Sequence, residues 1–444
     1  MKNDLASIVG DCSIPLMGHP IDYAPLLNLI GDARIVLLGG ATHGTAEFYR
    51  ARADITKKLI VEKGFMAIAL EADWPDAYQV NRHVWGGNED ATARDALNGF
   101  KRFPAWMWRN TEVLDFVEWL RQHNSTRPPA THKVGFYGLD LYGLYSAIEA
   151  VVNYLQKVDP EAAARARQRY AGMAQLGKDT QLYGLSPAMM GAFHQEDAMT
   201  EIRELRVRQS AFMDKLGPVG ADEFFFAEQN AWLIKSAESF YRAMFQDSTL
   251  SWNLREKHMA DTLRALETHL RVQQRAGKIV VWAHNAHIGD ARATGLWARS
   301  QCNLGQLTRE QFGQAVFSVG LTTYDGTITT ANAWDAPFER KALPPAMAGS
   351  YEEIFHAAPY ANLLLDLREQ NQPAASSLRL PRLQRSVGVT YQPEAEWRSD
   401  YLETRLSEQF DAILHFDRTN AVEPLERIAR CQIDDVEETF PTGL

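Results

Sequence analysis

Four short polar runs hold the residue types that hydrolysis needs, and each directly follows an apolar stretch. Ile35 to Leu38 leads into Gly39-Gly-Ala-Thr-His43-Gly44, and Ala67 to Leu70 leads into Glu71-Ala-Asp73-Trp74. Val134 to Tyr137 leads into Gly138-Leu-Asp140-Leu-Tyr142, and Ile279 to Trp282 into Ala283-His284-Asn-Ala-His287. A histidine near neutral pH can take a proton from water as that water attacks a carbonyl. Placed in a glycine-rich turn that enters a helix, His43 would lie beside backbone N–H groups suited to an anion or a developing oxyanion. His284 and His287 are three apart and share a face if a helix begins there. That spacing also suits a metal, although no HExxH pattern accompanies it. Plainer roles stay open for each residue: a packed or capping histidine at 43, a helix cap at Asp140.

Glu71 ends a wholly apolar run, so burial would raise its pKa unless a cation holds it charged. The spacing predicts a helix over residues 46–63, with Thr45 as N-cap, Glu47 at the positive end of its dipole and Gly64 as terminator. Asp54 should pair with Arg50 and Lys58 on the solvent face. Phe48, Ile55 and Leu59 form the apolar stripe, and Arg52 falls on it. A charge there needs a partner, and Glu71 is the expected one. The aromatic segment Phe103-Pro-Ala-Trp106-Met-Trp108-Arg109-Asn110 could line a pocket or simply fill core, as could Trp252 to Arg255 and Asp290 to Arg292.

The elements that must position these groups read as an α/β fold with a largely parallel central sheet flanked by helices. The first two apolar runs are separated by about one helix, which suggests a βαβ unit with a parallel pair. Further strands are expected at Val316 to Leu321, Leu363 to Leu367 and Ala412 to Phe416. Residues 146–274 look almost wholly helical, dividing the chain into an N-terminal core part (1–145), a helical insertion (146–274) and a C-terminal core part (275–444). The stretch from Gln370 to Arg385 reads as a loop excursion, and no internal repeat is visible. In open sheets of this kind ligands bind outside the carboxyl ends of the strands. All four polar runs fall there.

Composition narrows the partners. Lys plus Arg total 46 against 56 Asp plus Glu, a net charge of -10, and no block of like charge occurs. Nucleic-acid and anionic-membrane binding are therefore disfavoured. Cys12, Cys302 and Cys431 are too scattered for a disulfide framework or a CxxC metal site, which fits a reducing, cytoplasmic setting. No signal-like or membrane-spanning apolar run is seen, so a soluble chain is expected. A GxSxG elbow, a Walker loop and a GxGxxG after a strand are all absent.

Gly39-Gly-Ala-Thr-His-Gly-Thr-Ala-Glu-Phe-Tyr-Arg-Ala-Arg52, with Glu71-Ala-Asp-Trp-Pro-Asp and Trp282-Ala-His-Asn-Ala-His287, resembles the erythromycin esterase family. The likeness extends over Phe103 to Asn110, Phe136 to Tyr142 and Ser251 to Asp261. It implies an α/β core with a large helical region that opens a macrolide lactone with water, using neither a metal nor a covalent nucleophile. His43 then resembles the general base, Glu71 and Arg52 a supporting charged pair, and His284 and His287 the remaining polar wall. Glu47, Trp106, Asn110, Asp140, Tyr142 and Arg255 are the expected substrate-binding residues. No cofactor is implied, and the partner is a small-molecule ester or lactone. The family usually reads Gly-Glu-x-x-His, whereas this chain has Gly40 in place of the glutamate. Two alternatives follow: a metal-dependent hydrolase using the same crevice, or a ligand-binding member impaired by Gly40.

Overall fold

A computed structural model describes residues 2–87, 92–128, 132–174, 217–244, 246–273, 275–368 and 373–426. Eleven strands are found among them: β1 (Ile14–Pro15), β2 (Ile35–Leu38), β3 (Ala67–Asp73), β4 (Gly135–Asp140), β5 (Ile279–Trp282), β6 (Val316–Ala331), β7 (Phe338–Leu343), β8 (Asn362–Asp366), β9 (Arg382–Arg385), β10 (Tyr401–Thr404) and β11 (Ala412–Thr419). Nine form one sheet in the order β1-β8-β11-β6-β2-β5-β3-β4, with β7 attached to β6. From β11 to β4 every pairing is parallel, and β1, β7 and β8 join antiparallel. The sheet is thus largely parallel, as expected.

Burial on both faces explains why these strands are continuous apolar runs instead of alternating ones. Ile35 and Leu37 pack into one layer with Met259, Leu263 and Leu266 of the helix Ser248–Val272. Val36 and Leu38 face the opposite layer with Phe48, Ile55 and Leu59 of the helix Ala46–Lys63. The helices Leu144–Val158, Gly217–Met244 and Ser248–Val272 contribute to the first layer, so the helical segment shares the core of the sheet. Residues 175–216 of that segment, and Cys431, lie outside the described residues.

The expected pairing of β2 with β3 is corrected. The two are parallel in one sheet, but β5 runs between them and bonds to both. A strand from more than two hundred residues downstream takes the central place, which local spacing cannot reveal. Its register decides the site. Leu38, Trp282, Leu70 and Gly138 lie on one row across four strands, so the residues that follow emerge side by side.

Other details differ too. β6 continues to Ala331, and its second half pairs with β7. The stretch after Gln370 includes the helix Pro373–Ser377 and β9, which pairs with β10. Asp54 pairs with Lys57, while Arg50 turns to Glu47 and Lys58 to Glu62. Thr45 is the N-cap of its helix, but its hydroxyl bonds to that of Thr42 instead of capping. Gly64 ends the helix in the left-handed conformation, as its type suggests.

Candidate active site

The loop that holds His43 is pressed between neighbours. A Cβ at Gly44 would come within 1.8 Å of the Thr329 carbonyl oxygen, so only glycine lets the turn pass β6. Thr42 bridges to Val387, which brings residues 386–390 over the same opening. On the β5 side, Asn285 fixes the turn after the strand through bonds from its side chain to Leu321 O and from its backbone N–H to Gly40 O. The short helix Asn285–Ile288 begins there, with His284 as N-cap, so both histidines are aimed at one cleft.

That cleft has a volume of about 310 Å³. His43, Glu71, Asp140, Tyr142, Arg255, His284 and His287 line it, which unites seven of the residues singled out in the sequence. Glu71 is saturated. Its Oε2 accepts the His284 backbone N–H at 2.8 Å, and Oε1 accepts from Arg255 Nη2 at 3.0 Å with His287 Nε2 3.1 Å away. Burial pushes this carboxyl up, but the positive His287 and Arg255 outweigh it and hold Glu71 well below the usual range. Glu71 is therefore an anchor, not a free base.

Arg255 grips Asp140 with two nitrogens, Nε to Oδ1 at 3.0 Å and Nη2 to Oδ2 at 2.7 Å, and lies over the Tyr142 ring. This fork is the geometry arginine offers carboxylates. His287 is bracketed by carboxylates, with Nδ1 2.6 Å from Glu256 Oε1. Burial would lower its pKa, yet Glu256 and Glu71 prevail and raise it to about 10. It is an imidazolium at neutral pH. Arg255 Nη1 lies 3.2 Å from the same Nε2, and two donors cannot bond there; the shared Glu71 oxygen holds the cations together.

His43 and His284 behave oppositely. Their rings are 4.7 Å apart, and burial lowers His43 to about 4 and His284 well below its usual value. Both are neutral near pH 7. The Ala286 N–H donates to His284 Nδ1 at 3.2 Å, which assigns the ring proton to Nε2. That Nε2 is buried and makes no well-formed hydrogen bond among the described residues, although the Ala41 carbonyl is near enough to raise the ring's pKa slightly, and the ring lies on the cleft wall.

Four sequence candidates are not brought to the cleft. Arg52 is buried beneath it and donates to Gly39 O and Ala283 O, both at 2.8 Å, so the expected Arg52–Glu71 pair is replaced by Arg255–Glu71. Its guanidinium ties together the loops after β2 and β5. Glu47 accepts from Asn420 N at 2.8 Å and from Asn420 Nδ2 at 3.0 Å. Asn110 caps the helix Thr111–Ser125 and donates to Trp106 O and Met107 O. Trp106 itself is core.

Sequence reasoning missed Glu256, Arg102, Asp76 and Trp334; Arg102 pairs with Asp73 and Asp76 on the outer wall, beside Phe103 of the aromatic segment that could line a pocket. Glu256 carries a signal in hindsight. It lies four residues after Trp252, on one helix face, and Trp252 stacks on the ring of His287 at 5.1 Å. The two nitrogens of His287 serve two different carboxylates, and among the described residues no three acidic, histidine or cysteine side chains are grouped to hold an ion.

Sheet and cleft together define a mixed α/β protein with acid–base groups gathered at the carboxyl ends of parallel strands. The chain belongs to the erythromycin esterase family, whose profile matches residues 60–419. It is 25% identical over 340 residues to "Erythromycin esterase type II" of Escherichia coli, covering 72% of this chain and 77% of that one. It is 20% identical over 380 residues to "Putative hydrolase YbfO" of Bacillus subtilis (strain 168), covering 81% and 80%. Among solved structures, a succinoglycan biosynthesis protein superposes with a TM-score of 0.78 at 23% identity, over 96% of this chain and 99% of that one. A mutant of the erythromycin esterase EreC in its open conformation gives 0.64 at 20%, over 92% and 96%. Family membership supports a hydrolytic enzyme acting on a small-molecule ester. No helix among the described residues is long and apolar enough to cross a membrane.

Proposed function

We propose that the protein hydrolyses an ester or lactone, a macrolide lactone or a related compound, with water activated by His43 and without a metal or covalent nucleophile. The neutral ring of His43 against the neutral ring of His284, with Nε2–H of His284 making no well-formed protein hydrogen bond at the cleft wall, carries this reading. Water attacks the carbonyl carbon while a His43 nitrogen takes its proton. The carbonyl oxygen becomes an oxyanion, to which His284 Nε2–H donates. As the tetrahedral species collapses, the bond to the leaving oxygen breaks and His43 returns the proton to that alkoxide. His287, Arg255 and Glu71 keep the floor of the cleft rigid and charged. Mass spectrometry of metal-free protein incubated with erythromycin-class macrolides and simple lactones tests this: a water adduct supports it, and activity only after metal is added would overturn the metal-free step.

One observation favours a second reading. Gly40 leaves buried Arg52 with no carboxylate within ion-pair distance among the described residues, and a Cβ at position 40 would come 2.7 Å from its Nη2. A member that binds in this cleft with little or no turnover fits that vacant partnership. Hydrolysis gained on Gly40→Glu, with none in the parent, would favour it.

A further inference from the structure

The cleft extends outward from its histidines, and the walls of that outer part differ in kind from the floor. Every ionised side chain named there already has a partner within the protein. Glu71 and Asp140 are held by Arg255, His287 by Glu71 and Glu256, and Asp73 and Asp76 by Arg102. Carboxylates outnumber cations in this set, so an anionic substrate group would meet like charge and would have to displace a carboxylate from its cation.

Much of the remaining wall is aromatic, with Ser386, Gly388, Val389 and Thr390 beside it. Phe103, before the cis bond to Pro104, meets Trp334 of the β6–β7 connection edge-on, with ring centroids 4.6 Å apart. Both are half-buried and line the cleft, as do the more buried Trp108 and Trp252. Rings arranged in this way accept another ring by edge or offset stacking. At about 310 Å³ the space lies at the lower end of the ~300–1,000 Å³ range of small-molecule sites. A fused two-ring molecule fits within it, whereas a glycosylated macrocycle would extend out of the cleft's mouth.

We propose that the cleft selects a compact ester or lactone that carries an aromatic ring and no negative charge, with Phe103 and Trp334 as the specificity-determining wall. This rests on the hydrolase reading for its chemistry, but the slot can be tested by binding alone. The substrate ring packs against the joined pair Phe103 and Trp334, not between its members, with its carbonyl directed to His43 and His284.

The test compares dihydrocoumarin, a carboxylated dihydrocoumarin, valerolactone and erythromycin as substrates of the parent, Trp334→Ala and Trp334→Phe proteins. Calorimetry with dihydroquinolinone, the lactam analogue that resists hydrolysis, runs beside it. We expect dihydrocoumarin to be preferred in kcat/KM by roughly tenfold or more over the other three. The preference over valerolactone should fall by roughly tenfold in Trp334→Ala and return in Trp334→Phe. Comparable or faster turnover of the macrolide or the carboxylated compound, an aryl preference unmoved by Trp334→Ala, or failure of the lactam to bind would each overturn the proposal. Lactam binding that depends on Trp334, with none of the four compounds hydrolysed, would uphold the slot and overturn the hydrolase reading instead.

Discussion

Glu256 Oε1 stands 2.6 Å from His287 Nδ1, and its Oε2 accepts the Leu304 N–H at 2.8 Å, so one fully buried carboxylate ties the helix Ser248–Val272 both to the cleft and to the segment behind it. This contact, with Glu71 on the other nitrogen, makes His287 a fixed positive charge in the same cleft as the neutral pair His43 and His284, whose rings are 4.7 Å apart. Similar residues a few positions apart in sequence thus hold opposite protonation states, because their neighbours differ.

Glu256→Gln should lower the His287 pKa from about 10 and weaken folding. The folded value lies above the unfolded one of about 6.5, so the stability it contributes is fully present below pH 6.5 and fades as pH rises through 10. Urea unfolding of parent and variant at pH 6 and pH 10 checks this. The difference between the two proteins should be larger at pH 6; an equal difference at both would show that Glu256 acts by packing alone.

His43→Ala should reduce hydrolysis by about 10²–10⁴-fold with little loss of Tm, because the loop is held through the His43 backbone carbonyl, which accepts from Tyr49, and that bond survives loss of the ring. In the parent, kcat/KM should be flat near neutrality and decline as pH falls through about 4, where His43 protonates. Folding stability should decline from pH 6.5 toward 4, since there the unfolded chain binds the proton that the buried ring refuses. A rate profile that instead breaks near pH 7 would remove His43 as the base.

Arg255→Met leaves Glu71 and Asp140 buried without their cation. Breaking such a pair costs about 3–5 kcal/mol, to be read from denaturant unfolding at pH 7. A loss below about 1 kcal/mol would mean that water replaces the arginine at little cost.

Gly40→Glu should fold, because the backbone there needs no left-handed residue and the nearest atom to a new Cβ is the far end of Arg52. A carboxylate so placed can pair with that guanidinium. We expect a Tm within a few degrees of the parent and a hydrolysis rate raised by about tenfold or more. An unchanged rate in a well-folded variant would show that position 40 does not limit turnover.

The sequence by itself determined the layered α/β character, the strand ends and most of the residues that meet there, because buried parallel strands leave continuous apolar runs and polar residues just after them are conspicuous. His43, Glu71, Asp140, His284 and His287 were legible in that way. Tertiary structure alone decided the partnerships. β5 enters between β2 and β3, and the helix Ser248–Val272 crosses the strand ends, so Arg255 reaches Glu71 across 184 positions while Arg52, far nearer in sequence, turns to backbone carbonyls. Long side chains on a buried helix can reach several acceptors, and strand order chooses among them. The same packing sets which histidine is charged, a property of desolvation and neighbouring carboxylates that residue type and spacing do not encode.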